Sequence, residues 1–154
     1  MRNYPKPSYK KLLGLALTVL MLFAVGAAST QASEETGNGL YTAEQAERGQ
    51  EAYEKHCSSC HGAELEGSGH FPPLTGDRFW RRWEGRTAWE LYEFTHDNMP
   101  LGQGGSLPEE SYADILAFQL AHYGYPEGEA ALVPDEEGLA EIILEPQQDE
   151  GEDD

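Results

Sequence analysis

Cysteine is nearly absent from this chain: two in 154 residues, at Cys57 and Cys60. A structural zinc site takes four nitrogen or sulfur ligands, and no second cysteine pair exists to supply them. A thioredoxin-like redox pair sits in a βαβ context, and nothing here alternates in that way. Basic residues are scarce as well: ten Lys and Arg face 28 Asp and Glu, for a net charge of −18. Such a surface repels polyanions, which argues against nucleic acid and against an anionic membrane face as partners. Strand signals are also missing. No segment alternates apolar and polar residues over five or more positions, and β-branched residues are sparse after the first 32. The chain is therefore expected to be all-α with long loops.

The two cysteines stand in Cys57-Ser58-Ser59-Cys60-His61, a C-x-x-C-H run. Two thiols at this spacing can add to the two vinyl groups of one porphyrin. A histidine directly after the second thiol then becomes the proximal iron ligand. The run reads as the covalent attachment site of one haem c.

One long apolar run is present, Leu12 to Ala28, seventeen residues without a charge. Arg2, Lys6, Lys10 and Lys11 precede it, and the small residues of Ala28-Ser29-Thr30-Gln31-Ala32 follow. This is the pattern of a secretory signal peptide over residues 1–32. An uncleaved membrane anchor is the rival, but the run lies at the short edge of what spans a bilayer. Cleavage predicts a periplasmic protein of 122 residues with no membrane insertion. Six bases and all 28 acids would remain, a net charge near −22. That charge favours a basic partner, or serves only to keep the protein soluble.

Residues 33–40 are polar and read as a flexible linker. Thr42-Ala43-Glu44-Gln45 has the form of a capping box, so a helix should begin there and run into the haem motif. Gly62 to Gly76 holds four glycines and two prolines and reads as irregular loop. Thr87-Ala88-Trp89-Glu90 is a second capping box, with Ala88, Leu91, Tyr92 and Thr95 on one helical face. Pro108 suits the first turn of a last helix whose apolar side is Tyr112, Ile115, Leu116 and Phe118. Gly124 and Pro126 should end it. These elements place one domain at 41–126. Residues 127–144 form an extension in which Asp135 caps a short helix, and Leu139, Ile142 and Ile143 pack back. Residues 145–154 read as a disordered acidic tail.

Past the leader, Met99 is the single methionine, in the loop Asn98-Met99-Pro100, 38 residues beyond His61. It is the expected sixth ligand. His70, His96 and an open position are the alternatives. Arg78, Arg81, Arg82 and Arg86 cluster within nine positions. They could meet haem propionates, form a docking patch or salt-bridge locally with Glu84. Trp80, Trp83 and Trp89 are expected in the core, and any one could pack on haem. His56, His70, His96 and His122 are expected at the surface.

This order of elements, over Tyr41 to Tyr125, resembles the class I cytochromes c. The resemblance implies three to five helices around one covalent haem, with His61 and Met99 as axial ligands. It implies that a proline carbonyl in Phe71-Pro72-Pro73-Leu74-Thr75-Gly76 accepts the proximal histidine's Nδ1–H. Pro72 is the best match, and Leu74 joins the haem-binding residues. It also implies that the first and last helices cross through Gly49 and Tyr53 on one side and Ile115 and Phe118 on the other. A narrower resemblance is carried by G-S-L-P-E-E-S-Y-A-D-I-L-A-F-Q-L-A-H-Y-G-Y-P-E-G. It is similar to the last helix of small cytochromes associated with quinoprotein dehydrogenases, with departures at Pro108 and Tyr123.

The function implied is a monomeric periplasmic electron carrier rather than an enzyme. It would take electrons from a dehydrogenase or respiratory donor and pass them to an oxidase or another cytochrome. The alternatives are an obligate cytochrome subunit of a quinoprotein dehydrogenase, and a haem enzyme or gas sensor with a displaceable Met99.

Overall fold

The structure is a computed structural model that describes residues 39–147. The leader at 1–32, almost all of the 33–40 linker and the tail beyond 147 lie outside the described residues. Six helical segments occur among them: α1 Ala43–His56, α2 Ser58–His61, α3 Gly76–Trp83, α4 Ala88–Asn98, α5 Glu109–His122 and α6 Glu136–Ala140. Two of these, α2 and α6, are only four and five residues long. The remaining four lie within the three to five helices implied by the resemblance, and the fold is all-α.

The start of α1 differs from expectation in one detail. Thr42 is its N-cap, and the Thr42 hydroxyl accepts the Gln45 N–H at 3.2 Å. Gln45 does not close the box. Its buried amide reaches the backbone of Leu132 in the C-terminal extension. In α4 the box is complete, with Thr87 and Glu90 each bonding the other's backbone N–H.

Helices α1 and α5 make the most extensive packing contact in the described fold. Gly49 permits the close approach, since a Cβ there would collide with the Asp114 carbonyl oxygen. Tyr53 meets Phe118 with ring centroids 5.2 Å apart. Arg48 grips the Asp114 carboxylate with two N–H bonds, both of 2.9 Å, across the same joint. The crossing therefore uses the expected Gly49, Tyr53, Ile115 and Phe118, with the Asp114 backbone at the closest point.

Pro108 stands one residue earlier than expected, as the N-cap of α5. The helix ends where Gly124 turns to φ +87° and the Tyr125 N–H reaches back to the Leu120 carbonyl. Helix α3 lies in the segment after the glycine- and proline-rich loop, for which no helix is expected. It buries Phe79 and Trp83, four residues apart on one face.

Through α6 the extension packs against α4. Asp135 caps α6 by accepting the Gly138 N–H at 2.8 Å. Leu132, Leu139 and Leu144 are buried. Ile143 is exposed, against expectation, because α6 stops at Ala140. The chain then runs extended beside the start of α4. The Ile142 carbonyl accepts from Ala88, and Leu144 exchanges bonds with Arg86 and Gly85. In an extended segment neighbours point to opposite sides, so Leu144 turns inward and Ile143 outward. Among the described residues no helix is long and apolar enough to cross a membrane.

Candidate haem-binding site

Helix α1 delivers the C-x-x-C-H run directly into one helical turn. The Cys60 and His61 N–H groups both bond back to the Cys57 carbonyl, at 3.1 and 3.0 Å. A helical turn places residues three apart on one face, so both thiols face the same space. Neither cysteine is disulfide-bonded. Burial, and secondarily the neighbouring Cys60, pushes the Cys57 thiol up to about 11.

The loop after His61 is fixed by its backbone. The Tyr53 hydroxyl donates to the Gly62 carbonyl at 2.7 Å. Leu65 takes φ +62°, a conformation rare for a residue with a Cβ, and its side chain is fully buried beside Tyr53 and Ile115. Its carbonyl accepts the Leu74 N–H, while the Leu74 carbonyl accepts the Tyr123 hydroxyl at 2.8 Å. Between them the Pro72 carbonyl stands 2.8 Å from Nδ1 of His61. A carbonyl can only accept, so this bond places a proton on Nδ1, and in the neutral ring that tautomer keeps the lone pair on Nε2.

These residues open onto one cavity of about 530 Å³. Cys57, Cys60, His61, Pro72, Leu74 and Met99 all line it. Met99 is the C-cap of α4, with its N–H on the Thr95 carbonyl at 2.9 Å and its carbonyl receiving the Tyr112 hydroxyl at 2.7 Å. The donor set fits a haem c. Two thiols, one imidazole nitrogen held free and one thioether surround an apolar space within the size range of cofactor pockets. No Asp or Glu lines it, although the chain holds 28 of them.

Other residues sort themselves around this space. His96 does not line the cavity. Its Nδ1 pairs with Asp97 at 2.8 Å and its ring meets Tyr112 edge-on. His56 and His70 also line it, His70 exposed as expected and His56 half-buried. Of the tryptophans, Trp83 faces the cavity, whereas Trp80 and Trp89 pack on the core. The arginine cluster divides. Arg78 and Arg82 reach the cavity, Arg82 lying 4.6 Å over the Phe94 ring, and Arg86 pairs with Glu90 at 3.3 Å rather than with Glu84.

Phe79, Leu91 and Phe94 also line the space. The four-residue spacing of Phe79 and Trp83 could have pointed to the first of these, but its surroundings of glycine and arginine read as loop. Leu65 had none, because nothing in its type announces a positive φ.

Residues 44–118 match the family described as cytochrome c oxidase, cbb3-type, subunit III. A thiosulfate dehydrogenase of Psychrobacter arcticus is 30% identical over 79 residues, covering 47% of this chain and 24% of that protein. One of Allochromatium vinosum is 35% identical over 81 residues, covering 48% of this chain and 30% of that protein. The chain thus spans less than a third of the length of these curated relatives. The sulfane dehydrogenase SoxCD of Paracoccus pantotrophus superposes with a TM-score of 0.49 at 24% identity, over 64% of this chain and 52% of that one. The narrower likeness to cytochromes of quinoprotein dehydrogenases rests on the last-helix residues alone. Residues 44–118 form a small, helical c-type cytochrome domain, with Cys57 and Cys60 in place to attach haem c.

Proposed function

We propose that this protein is an exported one-haem electron carrier. In this reading Cys57 and Cys60 would carry the thioethers, His61 and Met99 would be the iron ligands, and Pro72 and Leu74 would support the site. The observation that carries it is the convergence of all six residues on one apolar cavity. When bound, the haem supplies a one-electron iron couple whose potential is raised by thioether ligation.

The chain's own residues do the rest. The Pro72 carbonyl orients the imidazole and strengthens its donor character through the Nδ1–H bond. Leu74, Phe79 and Phe94 give the space apolar walls. If His61 and Met99 both held the iron of a bound haem, the protein itself would occupy the places a substrate would need, which favours a carrier over an enzyme. Export is supported by the basic, apolar and small-residue order of residues 1–32. The partners in this reading are a dehydrogenase or respiratory donor and an oxidase or second cytochrome.

A second reading is a cytochrome subunit of a dehydrogenase. It is favoured by the similarity to one part of two larger proteins named thiosulfate dehydrogenase. Co-purification of a dehydrogenase at fixed stoichiometry would select it over a freely diffusing carrier.

The ligand assignment is tested with Met99→Ala. The oxidised native protein should show the weak long-wavelength band of methionine-bound ferric haem, and the variant should lose it. The variant should also bind carbon monoxide when reduced. An unchanged spectrum would move the sixth position to His70, the other lining residue weighed for it.

A further inference from the structure

We propose that Tyr112 is the positioning residue that sets the Met99 side of the iron site, acting through its hydroxyl bond to the Met99 carbonyl. This deepens the reading of Met99 as axial ligand and rests on it.

Met99 sits where α4 ends, so its backbone leaves the helix at the point where the side chain must be aimed. A buried or half-buried peptide group needs partners for both its N–H and its C=O. The N–H is taken by Thr95 inside α4 itself. The carbonyl is taken from outside, by Tyr112 of α5 at 2.7 Å. Among the described residues, the only other hydrogen bond to that hydroxyl is a long one from the Leu107 N–H, 3.5 Å. The Tyr112 ring is 2% exposed and braced edge-on against His96. Its aim is therefore set by helix packing rather than by solvent.

The other end of the linkage matters equally. Tyr112 stands two residues before Asp114, whose carbonyl abuts Gly49 and whose carboxylate is gripped by Arg48. Helix α1 runs from that joint into Cys57–His61. Helix α5 runs from the same joint to the Tyr112 hydroxyl. The His61 and Met99 sides of the cavity are thus both referenced to one helix crossing. The Tyr112 hydroxyl is the last link on the Met99 side.

The test is Tyr112→Phe in the haem-loaded protein, which keeps the ring and removes only the hydroxyl. One lost hydrogen bond should weaken the hold of Met99 about five- to tenfold. Added imidazole competes for the sixth position of the oxidised protein, so its affinity should rise by that factor. The reduced variant should bind carbon monoxide faster, and the long-wavelength band should weaken. Tyr92→Phe is the control. It removes a buried hydroxyl from the same cluster, one that makes a 3.5 Å contact with Glu109 and none with Met99. It should leave all three readouts native.

Tyr112→Phe with native imidazole affinity and an intact band, whatever its melting temperature, would overturn the proposal and leave Tyr112 a packing residue. Met99→Ala is measured beside it. If that variant fails to open the sixth position, the ligand reading falls and this inference falls with it. If Met99→Ala opens the position and Tyr112→Phe does not, this inference alone is wrong.

Discussion

Gln45 on the first helix and Leu132 in the C-terminal extension are joined by two hydrogen bonds through a single side-chain amide. Nε2 of Gln45 donates to the Leu132 carbonyl at 2.9 Å, and the Leu132 N–H donates to Oε1 at 2.7 Å. A backbone segment without a strand partner has found one in a glutamine. Gln45→Leu should leave that N–H and carbonyl buried and unpaired. The cost should be about 2–4 kcal/mol, as each orphaned group loses its solvation without return. Chemical denaturation of the haem-loaded variant measures it. Limited proteolysis should find the first new cuts between 126 and 147. A variant as stable and as resistant as the native protein would show the extension to be held by Leu139 and Leu144 alone.

Gln45 also marks where sequence patterns stop being informative. A Thr followed three residues later by Gln predicts a helix start, and a helix does start there. The pattern reads only local bonds, so it could not show the Gln amide engaged 87 positions away. Thr87 and Glu90 have no such competitor, and their box is complete. The haem motif was legible because it needs specific residue types at a specific spacing, whereas the Pro72 carbonyl and the Gly49 crossing were legible only through the resemblance to class I cytochromes c. Helix α3 was not, since its glycine start and its arginines resemble loop. What fixes it is the burial of Phe79 and Trp83 beside the cavity, a tertiary effect. Leu65 and Tyr112 act through a backbone angle and a long-range hydroxyl, neither of which has a periodicity to read.

The cavity itself predicts how the protein depends on its haem. Without haem, Leu74, Phe79, Leu91 and Phe94 would face solvent across a space of about 530 Å³ instead of an apolar macrocycle. A domain stable by only about 5–15 kcal/mol has little margin for losing that much of its apolar packing. Replacing both Cys57 and Cys60 by Ala should therefore give haem-free chain with little cooperative unfolding. In the native protein the porphyrin should stay with the chain through acid and organic extraction. A doubly substituted protein with a sharp thermal transition and native helix content would overturn this dependence.

Alkaline behaviour follows from two buried phenols. Burial raises Tyr53, with smaller contributions from Cys57 and Glu66, and raises Tyr123 well above its ordinary value, with smaller contributions from Tyr53 and Tyr125. Both hydroxyls are also donors, to the Gly62 and Leu74 carbonyls. A folded-state value above the unfolded one means that the folded protein holds its proton more tightly. The resulting stability is complete below the unfolded value, about 10, and is lost as pH rises beyond it. Phenolate absorbance should thus lag for these two groups until the helical signal collapses in strong alkali. A full tyrosine titration centred near pH 10, with the circular dichroism unchanged, would contradict their burial.

The last prediction concerns charge at the cavity mouth. With a net charge of −18, the protein should repel anions over about a Debye length, roughly 8 Å at physiological salt. The mouth opposes that field locally. Arg78 and Arg82 line it together with Phe71 and Leu101, which are 39% and 72% exposed, and no carboxylate does. Arg81 belongs to the same helix but does not reach the cavity. Arg78→Glu and Arg81→Glu therefore change the total charge equally and the local charge unequally. Oxidation of the reduced protein by hexacyanoferrate(III) and by a cationic cobalt(III) complex reads the difference. If the mouth is the route for electrons, Arg78→Glu should slow the anionic oxidant about tenfold at low salt and speed the cationic one. Arg81→Glu should do much less of both. The rates should converge as salt rises. Equal effects of the two substitutions would mean that total charge governs encounter, and that the arginines at the mouth have no particular part in it.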